Sequence, residues 1–224
     1  MTSTGNVPVK AVWTDFGGVL TPPIGQTLVA FCARYDLPPE ALVTAMTEVA
    51  RRYGTDDLML PLDTPLVTEE EWLGQVGEVL RERYQISLRL TTMADAWFGD
   101  RAANLPWVDE LRRARESGVF VGMLSNMVPA WDPYWRRMVD AEELFDDVVL
   151  SFEVGHRKPD PEIFELAAKR AGVLPRESVF VDDLATNCAG AAAAGWRAVH
   201  FTDTATAAAA VQELLRSGRT GAAT

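Results

Sequence analysis

Positive charge, cysteine, lysine and long apolar runs are all scarce in this chain of 224 residues, and each scarcity removes a class of function. Twenty-one basic residues face 32 acidic ones, giving a formal charge of −11. Such a chain lacks the basic footprint that nucleic acid or an anionic membrane surface requires, so neither is an expected partner. Cys32 and Cys188 are the only cysteines. They are too few and too far apart for a disulfide framework or a zinc site, which fits a reducing compartment. No stretch approaches the length needed to span a bilayer, and the opening MTSTGNVPVK has no apolar signal core, so a cytoplasmic location is expected. Lys10, Lys158 and Lys169 are the only lysines. With 48% hydrophobic and 24% charged residues, the remainder is ordinary globular composition, long enough to bury a core without staples.

Five short apolar runs, at 9–14, 119–124, 148–152, 178–181 and 197–201, read as buried strands. Helical periodicity fills the intervals at 104–117, 160–171, 185–194 and 204–216, and Gly118, Gly172 and Gly195 stand where helices should end. Strand and helix in alternation predict an α/β fold, an open, Rossmann-like parallel sheet. Residues 22–103 break the alternation. They carry almost no strand signal and three helical patterns, at 26–35, 39–53 and 68–84. The last opens on Thr68-Glu69-Glu70-Glu71, a capping-box sequence. The predicted organisation is a core of residues 1–21 and 104–224 with a small helical cap, 22–103, inserted after the first strand. The first six residues and those from Gly218 onward are expected to fray.

Open α/β sheets bind ligands beyond the carboxyl ends of their strands. Polar residues follow the first four runs in order: Asp15, then Ser125-Asn126, then Lys158 in HRKPDP, then Asp182-Asp183. Each alone is weak, because strand ends are generally polar. Together, each against an apolar run, they form a pattern.

That set resembles the four signature motifs of the haloacid dehalogenase-like hydrolases. WTDFGGVLT is similar to the first motif, LSN to the second, RKPDPEIF to the third and VFVDDLATNCAGAAAAGW to the fourth. The helical insertion resembles the first cap class of that superfamily. RKPDP and the double Asp followed by Asn resemble most nearly the phosphatases related to the N-terminal domain of soluble epoxide hydrolase and to bacterial glucose-1-phosphate phosphatases. The resemblance implies a Mg²⁺-dependent phosphatase acting on a small-molecule phosphate ester. Asp15 would be the nucleophile, with Asp15, the Gly17 carbonyl and Asp182 on the metal. Asp183 and Asn187 would hold that shell from behind, and Ser125, Asn126 and Lys158 would bind the phosphate.

Elementary chemistry agrees with those residue types. A phosphomonoester repels an attacking carboxylate, and a divalent cation neutralises both partners. Hard oxygen ligands suit Mg²⁺. An ammonium and hydroxyl or amide donors stabilise the equatorial oxygens, where transition-state charge collects.

Most phosphatases of the superfamily carry a second Asp two residues after the nucleophile, acting as general acid and base. Gly17 stands there in this chain. Losing a general acid costs about 10²–10⁴-fold in rate, so weakened chemistry and a preference for aryl or acyl phosphates are expected. His156 is either a substitute acid or a loop residue, and His200 is expected to be structural. Asn187 either bonds the fourth-motif loop or faces solvent. Trp97-Phe98, Trp131 and Trp135 either line a pocket or pack the core. Two other functions stay open: a 2-haloacid dehalogenase, which also lacks the second Asp, and a binding or regulatory protein on a weakened scaffold. The cap contains no readable substrate code, and the oligomeric state is not legible.

Overall fold

Five short parallel strands form one sheet in the computed structural model, which describes residues 7–99 and 101–219. They are β1 (Ala11–Thr14), β2 (Phe120–Ser125), β3 (Asp147–Leu150), β4 (Ser178–Asp182) and β5 (Arg197–His200), in the order β3-β2-β1-β4-β5. β1 is central, with Thr14 level with Met123 of β2 and Val181 of β4. The chain leaves β1 toward β2 on one side and later returns to β4 on the other, so a crevice opens beyond Thr14.

Residues 24–98 run through α1 (Ile24–Arg34), α2 (Pro39–Arg52), α3 (Leu60–Asp63), α4 (Glu69–Tyr84) and α5 (Ala94–Phe98). The rest alternates as expected, with α6 (Leu105–Glu116), α7 (Asp132–Met138), α8 (Ala141–Leu144), α9 (Ser151–Val154), α10 (Pro161–Ala171), α11 (Ala185–Ala193) and α12 (Thr204–Arg219). The α4 capping box forms: Glu71 N donates to Thr68 Oγ1 at 3.3 Å and Thr68 N to Glu71 Oε2 at 3.2 Å. No described helix is long and apolar enough to cross a membrane.

Alternation along β1 divides the core between the two faces of the sheet. Val12 joins Val121, Val179, Trp107 and the residues of α1, α2 and α4 in the larger cluster. Ala11 and Trp13 join Phe164, Phe180, Ala191 and Trp196 in the smaller one. Trp13 lies opposite Gly122, and a Cβ at Gly122 would overlap the indole. That close approach accounts for a glycine inside a buried strand.

Two expectations need correction. The third strand stops at Leu150, not at 152, because Ser151 begins α9. Its hydroxyl accepts from Met127 N at 3.0 Å and donates to the Asp63 carbonyl at 2.7 Å, which turns the chain out of the sheet. At the C-terminal end, α12 runs through Gly218 to Arg219, where fraying was expected. The remaining expectations of fraying, at residues 1–6 and 220–224, lie outside the described residues. Helices α3, α5, α7, α8 and α9 were not foreseen, since four to seven residues are too short for a periodicity signal.

Candidate active site

Asp15 is the first residue past β1, and its amide is fixed by the Val181 carbonyl of β4 at 2.8 Å. Behind it, Thr14 Oγ1 donates to the Asp15 carbonyl and accepts from Trp107 Nε1 at 3.0 Å. The backbone then turns through Gly18, at φ +79°, and Gly18 N donates to Thr21 Oγ1. A Cβ on Gly18 would overlap the Asp183 carboxylate. Gly18 therefore serves both a left-handed turn and a close approach.

Lys158 crosses from the loop after α9 and is 2% exposed. Its Nζ lies 2.6 Å from Asp15 Oδ1 and 2.6 Å from Asp182 Oδ2, and 5.0 Å from the centre of the Phe180 ring. Burial works against the ammonium, but the charges of Asp15 and Asp182 outweigh it and hold its pKa above the ordinary lysine value. Burial also raises the Asp15 carboxyl, against the pull of Lys158 and with a further push from Asp182. Asn126 holds the Lys158 backbone in place at two points. Its Nδ2 donates to the Lys158 carbonyl at 2.9 Å, and its Oδ1 accepts from Lys158 N at 2.8 Å. Ser125 is 3% exposed, and among the described residues its hydroxyl makes only a long 3.5 Å contact with the next carbonyl.

The two fourth-motif aspartates sit in unlike surroundings. Asp182 is fully buried. Its oxygens accept from Lys158, from Leu184 N at 2.8 Å and from Asn187 Nδ2 at 3.1 Å to both. Asn187 is thus turned inward rather than toward solvent. Asp183 stands on the wall of a cavity that opens from Asp15, and no other side chain among the described residues bonds its carboxylate. Burial first, then the charges of Asp15 and Asp182, push its pKa up to about 7. Oxygens of Asp15, Asp182 and Asp183 all lie within 4.8 Å of one another. In their ionised forms the three carboxylates exceed the one Lys158 ammonium by two negative charges, the deficit that one divalent cation offsets. Hard oxygen donors at this spacing fit Mg²⁺.

The cavity has a volume of about 370 Å³. Gly17, Ser125, Asn126, Lys158 and Asn187 lie on its wall with Asp15 and Asp183; Asp182 does not. Trp97 and Trp131 line it, whereas Trp135 is buried in the core and Phe98 packs against Phe16 and Trp131. His156 is exposed and off the cavity wall. His200 Nε2 lies 2.9 Å from the Asp183 carbonyl, a contact that supports the loop's backbone.

Sequence reasoning missed a second polar cluster at the cavity. Arg157 gives Nε and one terminal nitrogen to the two Asp63 oxygens at 2.9 Å each, and its other terminal nitrogen lies 2.9 Å from Asp57 Oδ2. This fork ties the loop before Lys158 to α3 and its approach. The adjacent RK pair was visible, but nothing local in the sequence paired Arg157 with acids 94 and 100 residues away. Arg101 was missed as well. It follows α5, lines the cavity and stacks over Trp97 and Phe98, and burial pushes its pKa down to about 10.

Residues 9–195 match the haloacid dehalogenase-like hydrolase family. The chain is 26% identical over 216 residues to mouse acyl-CoA dehydrogenase family member 10, covering 96% of this chain but 20% of that protein. It is 38% identical over 94 residues to the sesquiterpene phosphatase astK of Aspergillus oryzae, 42% of this chain and 47% of that one. The chain thus spans less than half the length of these two relatives. Among solved structures, a HAD family enzyme from Bacteroides thetaiotaomicron, crystallised with magnesium and inorganic phosphate, superposes with a TM-score of 0.62 at 23% identity. That match covers 85% of this chain and 93% of that one. Solved dehalogenases share the fold as well.

Proposed function

The chain belongs to the haloacid dehalogenase-like hydrolases, and from that premise we propose that it is a Mg²⁺-dependent phosphomonoesterase acting through an aspartyl-phosphate on Asp15. One observation carries this reading: Asp15, Asp182 and Asp183 converge around a single ammonium and remain two positive charges short. A dehalogenase, which works without a metal, gains nothing from that crowding and bears its repulsion.

Asp15 and Asp183, with the Gly17 carbonyl, would hold the metal. Asp182 is instead the positioning residue, because its oxygens are occupied by Lys158, Asn187 and Leu184 N. This reverses the division of labour expected from the sequence. When bound, Mg²⁺ supplies charge neutralisation for the phosphoryl group and the attacking carboxylate. Asp15 attacks phosphorus through one oxygen, the ester P–O bond breaks, and the alcohol leaves with a proton drawn from solvent. Water then attacks the phosphorus of the acyl phosphate, releasing orthophosphate and restoring the Asp15 carboxylate. Lys158 and the Ser125 hydroxyl stabilise the equatorial oxygens. Asn126 acts by fixing the Lys158 backbone. Residues 22–103 serve as a cap, supplying much of the cavity wall above these groups.

The experiment is orthophosphate release from p-nitrophenyl phosphate with Mg²⁺ and with EDTA. Turnover that requires the metal is the expected result. Metal-independent chloride release from a 2-chloroacid, without phosphate release, would favour the dehalogenase reading.

Gly17→Asp should raise the rate on alkyl phosphates by about 10²-fold, the low end of what a general acid supplies, while aryl phosphates respond far less. A Cβ at Gly17 meets the flexible end of Ile24 at 3.1 Å, so that atom is accommodated by a small shift of the Ile24 side chain. An equal change across both substrate classes would show that no proton donor had been gained.

A further inference from the structure

The cavity has two unlike halves. One end holds Asp15, Ser125, Lys158 and Asp183; the facing wall comes largely from the helical segment after β1. There the side chains are aliphatic or aromatic: Leu28 of α1, Val43 and Met46 of α2, Leu58 and Met59 before α3, and Trp97 of α5. Polar groups on that wall are already engaged within the protein. Both Asp63 oxygens serve Arg157, while Asp57 serves Arg157 and the amides of Met59 and Leu60. Trp131 gives its Nε1 to Glu69 at 2.7 Å.

Arg101 is the exception. It donates to Thr21 Oγ1 and the Pro22 carbonyl, and its Nε has no partner among the described residues. A single guanidinium does not match a polyol, each of whose hydroxyls loses water on entry and is costly to leave unpaired. At the mouth, Ile24 and Leu184 are 40% and 53% exposed although both belong to the cavity wall. An exposed apolar collar continuous with an apolar wall is surface that a nonpolar ligand covers.

We propose that the substrate is a phosphate monoester of an apolar alcohol, seated with its hydrocarbon against Leu28, Val43, Met46, Met59 and Trp97, and that sugar and polyol phosphates are poor substrates. The inference rests on the phosphatase reading above and adds the substrate class. Gly17 fits its aromatic members, since a phenolic leaving group needs little protonation.

The test is kcat/KM of the Mg²⁺-loaded chain on ethyl, butyl, hexyl and octyl phosphate. These alcohols differ little in acidity, so only the buried hydrocarbon changes. A buried methylene contributes about 0.8 kcal/mol, so kcat/KM should climb roughly fourfold per methylene until the wall is filled. Glycerol 3-phosphate and ribose 5-phosphate should fall at or below ethyl phosphate, and Met46→Gln should flatten the climb. A flat series, or a polyol phosphate preferred to octyl phosphate, overturns the proposal. Failure to hydrolyse any ester, p-nitrophenyl phosphate included, refutes the phosphatase reading instead. Calorimetry of the same alkyl phosphates then decides the ligand class. Affinity rising with chain length and a negative heat-capacity change support it, and length-independent binding sinks it.

Discussion

Asp15→Asn should reduce phosphatase turnover by roughly 10⁴-fold or more, the scale of losing a covalent nucleophile. An amide oxygen in the same position is neutral and a far weaker nucleophile. The substitution keeps the side chain's shape, and Lys158 retains Asp182 at 2.6 Å, so the variant should fold. It also removes one of the two charges that raise Asp183, which relieves repulsion at the site. Steady-state kinetics and a thermal melt on the same preparation separate lost chemistry from lost structure. Residual activity within tenfold of the native chain, from a folded variant, would remove Asp15 as the nucleophile. The same variant tests the idea of a noncatalytic scaffold, because a weakened native activity that vanishes with Asp15 belongs to this site and not to a contaminant.

Lys158→Met should damage both stability and rate. The ammonium is buried between Asp15 and Asp182, and methionine fills similar space without charge. Removing one partner of a buried ion pair typically costs about 3–5 kcal/mol. For a domain of this size that lowers Tm by roughly 6–20 °C. The rate should fall by a further factor of about 10²–10³, as when a donor aimed at transition-state charge is lost. Magnesium discriminates this account from simple loss of packing. Without the lysine, the carboxylates depend more heavily on a cation, so the Mg²⁺-induced rise in Tm should exceed that of the native chain. An equal rise in both proteins would mean that Lys158 and the metal do not answer the same charge deficit.

The site was legible to the degree that its residues abut apolar runs. Asp15 and Asp183 directly follow strands and Ser125 and Asp182 end them, and parallel strands carry the residues at their carboxyl ends to one edge of a sheet. Lys158 was readable from its HRKPDP context, although it reaches the edge only after α9 has turned the chain. The roles of neighbouring residues are the part that local pattern does not reach. Asp182 and Asp183 are adjacent carboxylates, and only the packing of Lys158, Asn187 and Leu184 N on one of them separates the engaged carboxylate from the one facing the cavity. Asn126 was expected at the phosphate, but most of its amide capacity is spent on the Lys158 backbone. The Arg157 fork to Asp57 and Asp63 joins segments some hundred residues apart, beyond any local pattern.

By itself, the sequence determined the α/β alternation, the helical interruption after the first strand, the acidic edge and the absence of an acid at Gly17. All of these follow from local periodicity or from residue identity at a strand end. Only the tertiary structure decided which carboxylate is free, which polar groups are already satisfied and which apolar side chains form one wall. Those properties belong to contacts between segments distant in the chain, where burial and hydrogen-bond partners are set by packing.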